Sequence, residues 1–585
     1  MSSTLNFGLL LRAQGWGQEM PPHRRIYLLR LGVLIVLGVV FIKYKSKSSS
    51  PPEEDIVYAG KMEAGWFWGK DDTNKKEDNK EPPQEPVVEM TVKKDPIKKK
   101  SEKKDFIQMK LVHLDLKGAA PRITYFEQLF PLLSKLGANG LLIEYEDMFP
   151  FSGELEVLKS AYAYSEADIE KILELAKMNK LEVVPLVQTF GHMEYVLKHE
   201  KFTGLREVER YPNSLNPHHT ESLPLVKSIL TQVLEKHPTC NWIHIGADEV
   251  YHLGEGQDSK AWLNDNQGNL GKMFVTFVKG VVGFLHEHFP EKEQLMWDDM
   301  LRKLKVDVIQ ASGIATHVSP VLWIYNSAFS SDLAESHISK YQEIGFKSIW
   351  FASAFKGASG VDKLLTPINM HAKNHIQWKQ IIDTMPSKFP KIRYAGIALT
   401  GWQRYDHYSV LCELLPVGIP SLAVCLQILQ RGEFNEEAKK EITSMLGFNT
   451  INVETNICEG NGAFPGSDIY NMVQKIHNEL KHNVRELTDG NDLIRGWFSP
   501  YHRKHKFGNP HKMETFSAKL TKIHEDWENL IQALRTQLES IYFPDTVEEW
   551  MEENVNPHFD LVRGMAKDFQ DILPLYAKPK DAPKL

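Results

Sequence analysis

A chain of 585 residues with 42% hydrophobic and 10% aromatic residues has material for a large core, which excludes a single small module. Its formal charge of −7 is modest and its basic residues are scattered or gathered near the amino terminus, so no nucleic-acid partner is expected. Cys240, Cys412, Cys425 and Cys458 lie far apart without C-x-x-C spacing, which argues against a zinc ribbon or disulfide framework and for buried thiols.

In chain order, a tail over residues 1–25 precedes IYLLRLGVLIVLGVVFI at 26–42, apolar except for Arg30 and closed by KYKSK. That run is about long enough to span a bilayer. A cleaved signal peptide is the rival reading, but Lys43, Lys45 and Lys47 stand where a small-residue cleavage site is needed, which favours an uncleaved anchor. Residues 43–105 are dominated by Lys, Glu, Asp, Pro and Ser, a composition that cannot bury enough apolar surface to fold and reads as a disordered stalk. Anchor and stalk together suit a single-pass, type II membrane protein of the Golgi or secretory pathway. Basic residues flank both ends of the run, so the positive-inside rule scarcely orients it. The absence of any N-x-Ser/Thr sequon and the unpaired cysteines suit the cytosol instead.

From Phe106 short apolar runs alternate with amphipathic stretches. The runs are FIQMKLVHLDL, NGLLIEYED, LEVVPLV, WIHIG, QLMWDD, VLWIY, KSIWFAS and AGIALTGW, each followed by a helix-like segment or long connection. Eight such units over 106–435 predict an α/β fold, a (β/α)8 TIM barrel, and no Gly-rich dinucleotide or phosphate fingerprint follows any strand. Residues 436–585 carry apolar positions at helical spacing and predict a helical carboxy-terminal region packed on the barrel. Within it WFSPYHRKHKF is basic and aromatic, a candidate homodimer contact or contributor to a ligand site.

Active sites of such barrels lie at the carboxy-terminal strand ends. Polar and aromatic residues gather there: Asp115 and Lys117, Glu146 and Asp147, Gln188 and His192, Asp248 and Glu249, Trp297 to Asp299, Trp323 and Tyr325, Trp350, and Trp402 to Asp406. Indoles beside carboxylates suit a pyranose, whose C–H faces stack on rings and whose hydroxyls need charged partners. Each member has an ordinary explanation: Asp-Glu after a strand also suits a helix N-cap and first turn, and the tryptophans suit a core. Their joint placement favours a site. Glu249 and His252 at i, i+3 form too sparse a set for a metal, and neither metal nor cofactor is expected.

HIGADE at 244–249 is similar to the H-x-G-x-D-E signature of glycoside hydrolase family 20, the β-N-acetylhexosaminidases. HLDLKGA, GLLIEYEDMFP, PLVQTFGHMEY, MWDDM, ASAFKGA and LTGWQRYDHYSVLCELLP extend the resemblance over nearly everything but the tail and stalk. It implies exo-hydrolysis of terminal β-linked N-acetylgalactosamine or N-acetylglucosamine from a glycoconjugate, with retention, by a substrate-assisted route through an oxazolinium ion. Glu249 is then the general acid and base, and Asp248 orients the acetamido group. Ionised Asp248 is expected to raise the pKa of Glu249 and keep it protonated. The resemblance also implies sugar contacts from His192, oriented by Asp147 or Glu146, and a ring box of Trp297, Trp323, Trp350 and Trp402; Asp298 is a further candidate substrate contact beside Trp297. Three positions depart from the family: Lys117 with Asp115 replaces an arginine, Arg404 or Asp406 replaces a glutamate, and Tyr325 stands in for the tyrosine that bonds the acetamido carbonyl. With these hydroxyl contacts altered, both sugars are expected to react, N-acetylgalactosamine preferred. One group of the family lacks a secretory signal, which implies cytoplasm and nucleus as the alternative location. A catalytically inactive carbohydrate-binding or scaffold barrel is the rival function, which retention of both carboxyls disfavours.

Overall fold

A computed structural model describes residues 107–575. The tail, the apolar run at 26–42 and the stalk lie outside the described residues, among which no helix is long and apolar enough to cross a membrane.

Eight parallel strands close into a barrel: β1 (Met109–Asp115), β2 (Gly140–Glu144), β3 (Glu182–Leu186), β4 (Trp242–His244), β5 (Glu293–Trp297), β6 (Val318–Trp323), β7 (Ser348–Lys356) and β8 (Arg393–Gly401). Each strand pairs with its neighbours in sequence, and β8 closes on β1. All eight apolar runs form these strands. They read as unbroken apolar runs because both faces are covered, as in β2 and β7, which are buried throughout. β4 is the exception in length. It has three residues and meets β3 through one pair, Leu186 with His244, reinforced by the Val187 N–H donating to the His244 carbonyl at 2.8 Å.

Eight outer helices follow the strands: α1 (Ile123–Leu136), α2 (Glu166–Met178), α3 (Ser222–Lys236), α4 (Leu270–His288), α5 (Val306–Ser312), α6 (Ser331–Ile344), α7 (Ile368–Lys388) and α8 (Leu415–Arg431). In α1, Tyr125, Phe126, Leu129, Phe130, Leu133 and Leu136 recur at helical spacing and are buried, and Gly137 at φ 99° ends it. A capping box starts α2: the Asp168 N–H donates to Ser165 Oγ, and the Ser165 N–H donates to Asp168 Oδ2 at 2.8 Å. Residues 415–429 of α8 are all buried, because the helix packs on α7 and β7 and is covered by a further helix, Ser467–Lys475.

The barrel interior is filled by Leu111, Leu142, Val184, Leu186, Leu295, Val321 and Trp350. Trp350 is the third residue of the nine-residue β7 and meets Trp242 edge-on at 5.7 Å. The expectation of a strand-end ring therefore fails for Trp350. Its indole fills the amino-terminal half of the barrel, where only side chains, not substrate, are packed.

Beyond α8 the chain is helical as expected, with one addition, an antiparallel ribbon pairing Thr450–Asn452 with Ile457–Glu459. The last helices, α9 (Pro510–Ile541), α10 (Pro544–Asn554) and α11 (Asn556–Ile572), return to the barrel mouth. The Arg122 N–H donates to the Ile541 carbonyl at 2.6 Å, and Thr546 Oγ1 donates to the Gly118 carbonyl at 2.9 Å. WFSPYHRKHKF instead packs on the distal bundle, Phe498 against Phe516 and Arg503 against Asp568, and so belongs to the bundle rather than to the barrel mouth. All four cysteines are buried free thiols.

Candidate active site

Adjacent side chains on a strand face opposite ways, so Asp248 and Glu249 can share a cavity only where the strand has ended. It ends early. Gly246, Ala247 and Glu249 all have positive φ, 61°, 66° and 42°, which replaces pleating by a left-handed turn directly after β4. A Cβ on Gly246 would overlap the Gln188 side chain, so this turn needs glycine for space as well as conformation. The β3 loop closes over it from the other side. Gly191 lies so near the Asp248 carbonyl oxygen that a Cβ would overlap it, and this approach delivers His192, itself at φ 51°, to the carboxyl pair.

His192 Nε2 lies 3.1 Å from Glu249 Oε2 and 3.7 Å from Asp248 Oδ2. The Tyr251 hydroxyl also bonds Glu249. From β5, Asp299 Oδ2 accepts the Glu249 backbone N–H at 3.2 Å. Burial, together with the charges of Asp299 and Glu249, pushes the Asp248 carboxyl up to about 8 despite His192. Burial would also raise Glu249, but its hydrogen bonds to His192 and Tyr251 and the charges of His192 and Lys303 hold it below its usual value. His192 is correspondingly raised well above an ordinary imidazole, with Asp248 and Glu249 outweighing the burial that opposes its charge. The directions are opposite to the expected ones, Asp248 raised and Glu249 lowered, and Glu249 holds the closer contact with His192.

Four of the expected rings meet, with Tyr325 near enough to feel the charges of Asp248 and Glu249. Trp323 and Tyr325 stack at 5.2 Å, Trp402 Nε1 donates to the Tyr325 hydroxyl at 3.3 Å, and Trp297 lies 6.0 Å from Trp402. Lys117 Nζ sits 5.6 Å over the Trp402 ring. It donates to Asp115 Oδ1 at 2.9 Å, with Glu144 and Glu146 within 3.9 Å. Burial opposes the Lys117 charge, yet these three carboxylates raise its pKa well above the usual lysine value.

Several expected contacts fall elsewhere. Asp298 turns away from the carboxyl pair and is taken up by Arg302, by the Tyr341 hydroxyl at 2.5 Å and by the Trp323 N–H. Asp147 does not orient His192; its carboxylate accepts from Lys198 at 2.7 Å and lies 3.7 Å from His407. His407 is held by Glu146 at 2.6 Å, so Glu146 is likewise occupied. Arg404 reaches out to Glu549 of α10 at 2.6 Å, and Asp406 accepts the Tyr408 N–H at 2.7 Å within its own turn. His252 stacks on Tyr211 and pairs with Glu255 rather than joining Glu249. Tyr251 and His407 carry no signal in the sequence, and Asp299 stands out there only within the Trp297 to Asp299 cluster. MWDDM cannot say which aspartate turns inward, since a short helix, Asp299–Lys303, begins between them.

Residues 121–335 match the family model described as glycosyl hydrolase family 20, catalytic domain. Over 465 residues the chain is 47% identical to human Hexosaminidase D, covering 80% of this chain and 95% of that protein. Over 343 residues it is 51% identical to bovine Hexosaminidase D, covering 59% of this chain and 98% of the relative. The structure of Flavobacterium johnsoniae chitobiase is a looser likeness, at 12% identity and a TM-score of 0.44 over 80% of this chain and 72% of that one.

Proposed function

From the premise that this chain belongs to the hexosaminidase D group, with a glycosyl hydrolase family 20 catalytic domain, we propose that its β-N-acetylhexosaminidase activity proceeds by substrate-assisted catalysis on Asp248 and Glu249. The carrying observation is the left-handed turn that brings both adjacent carboxyls to one imidazole, His192. Residues so placed do not stand on opposite sides of an anomeric carbon, as a nucleophile and an acid about 5 Å apart would. The 2-acetamido oxygen supplies the nucleophile instead. It bonds to C1 as the glycosidic bond breaks, Glu249 gives its proton to the leaving oxygen, and Asp248 accepts the acetamido N–H. Water then attacks C1 while Glu249 takes its proton, which reopens the oxazolinium ring and retains configuration.

Both His192 and Asp248 are raised, which favours a proton held within this cluster beside Glu249. The reaction needs a proton on Glu249. An acetamido N–H donated to Asp248 stabilises its ionised form and favours the transfer. The Tyr325 hydroxyl, which accepts from Trp402, is the group assigned to the acetamido carbonyl, while Trp297, Trp323 and Trp402 pack the methyl and ring. Lys117 is the cation for the ring hydroxyls, with Asp115 fixing it. Arg404 and Asp406, held elsewhere, leave the fourth hydroxyl little constrained, and both sugars are accepted with N-acetylgalactosamine preferred.

Hydrolysis of aryl β-N-acetylhexosaminides beside aryl glycosides lacking the acetamido group tests the reading. Turnover confined to the former, and strong inhibition by a thiazoline mimic of the cyclic intermediate, are expected. Equal turnover of both substrate classes would sink it, and no turnover of either would favour a binding barrel. Comparing kcat/KM for the two acetamido sugars reads the preference.

The apolar run at 26–42 acts as a membrane anchor in this reading, with the barrel on the lumenal side. Retention in the membrane fraction after carbonate washing, and protection of the barrel from protease in intact microsomes, are the expected results. Release by carbonate would remove the anchor, and digestion without detergent would place the barrel in the cytosol.

A further inference from the structure

Asp298 and Asp299 follow one another at the end of β5 yet have opposite surroundings. Asp298 is saturated by Arg302, Tyr341 and the Trp323 N–H. Asp299 is just as buried, but one carboxylate oxygen accepts only the Glu249 N–H, with Lys303 Nζ at 3.6 Å, and the other has no hydrogen-bond partner. Asp248 Oδ1 is likewise buried without a partner. Two incompletely satisfied carboxylates beside the same peptide are costly and need a reason. Glu249 supplies one: its backbone sits at φ 42°, a conformation that L-residues rarely adopt and that must be held by its neighbours.

We propose that Asp299 is a positioning residue for the Asp248–Glu249 pair, anchoring Glu249 through its backbone N–H and placing a second negative charge beside Asp248. The groups whose charges reach this cluster are Arg302 and Lys303 from the β5 turn, with Asp298 turned away from it, Asp248, Glu249 and Tyr251 from the β4 turn, Glu144 at the end of β2, His192 from the β3 loop, Tyr325 after β6 and Tyr341 of α6. Among them Asp299 is the carboxylate that both touches the Glu249 peptide and contributes to raising Asp248. The role rests on the substrate-assisted reading, in which one proton shared by the pair must reach Glu249.

Asp299→Asn keeps an acceptor oxygen and removes the charge, whereas Asp299→Ala removes both. On an aryl β-N-acetylhexosaminide, kcat/KM should fall about tenfold to a hundredfold in Asp299→Ala and less in Asp299→Asn. In Asp299→Asn the alkaline limb of kcat/KM should move down by about one pH unit, because the pair loses its proton more readily. Carboxyl carbon-13 labelling of aspartate reads the same shift without catalysis, with the Asp248 resonance identified by its loss in Asp248→Asn. A folded Asp299→Asn with both the limb and the Asp248 titration unmoved overturns the inference, as does wild-type kcat/KM in Asp299→Ala. If the wild type hydrolyses no acetamido substrate while the Asp248 titration still falls in Asp299→Asn, the positioning role survives and the proposed reaction does not.

Discussion

At Asp248 and Glu249, two chemically similar side chains one residue apart acquire opposite proton affinities. The difference comes from burial and from which of them the imidazolium of His192 holds more closely. The pair should therefore titrate as a unit. Asp248 is raised to about 8, so below that pH the pair carries the proton that the leaving group needs, and above it the proton is lost. We expect kcat/KM to fall as pH rises through about 8, read from a pH–rate profile on an aryl substrate. Glu249→Gln and Asp248→Asn should each cost a few kcal/mol of transition-state stabilisation, roughly 10²- to 10³-fold in kcat/KM. Near wild-type values in either variant would exclude these roles. His192 was legible as a strand-end histidine, but its bond to Glu249 rather than to Asp147 was not, since it depends on the β3 loop closing over the β4 turn.

The elements that make the site are two loops, not two strands. The β4 turn and the β3 loop touch backbone to backbone at Gly191 and Asp248, without room for a methyl group. Gly191→Ala should push them apart, lowering stability by about 1–3 kcal/mol and kcat/KM by roughly 10²-fold. Denaturant unfolding and initial rates measure the two effects, and an unchanged kcat/KM would show that the approach does not set His192. The α10 helix has a comparable hold on the β8 loop through Arg404 and Glu549, a pair more than two-thirds buried on both sides. Removing one partner of such a pair leaves a charge poorly compensated. Arg404→Met should lower stability by about 1–3 kcal/mol, discounted for the solvent reaching Glu549, and leave the galacto-to-gluco ratio of kcat/KM unchanged. A changed ratio would return Arg404 to the sugar site.

Across the whole molecule, buried neutral histidines make acid the weak side. Burial depresses His237 and His375 to about 4 and His244 and His371 to about 3. In each case the unfolded chain binds a proton near pH 6.5 that the folded chain refuses until lower pH. The stability they contribute is thus complete above about 6.5 and is lost as pH falls through about 4 to 3, by up to about 1.4 kcal/mol per pH unit for each group. The midpoint of thermal unfolding should fall steadily over that window. A flat profile from pH 6.5 to 4 would mean that these rings find partners on protonation.

The alternation of apolar runs and amphipathic stretches sufficed for the barrel and for the order of its eight strands, because strands covered on both faces and helices covered on one carry different periodicities. The Asp248–Glu249 motif and the strand-end rings Trp297, Trp323 and Trp402 were legible for the same reason: site residues of this fold occur where an apolar run stops. Depth within a run was not legible, and Trp350 fell inside the barrel because strand length depends on pairing with β6 and β8. Nor was the partner of a charged side chain. Asp298 or Asp299, Arg404 to sugar or to α10, and the proton on Asp248 or Glu249 were each decided by groups distant in sequence. Only the closed chain brings those groups within a few ångströms, where charge and burial act.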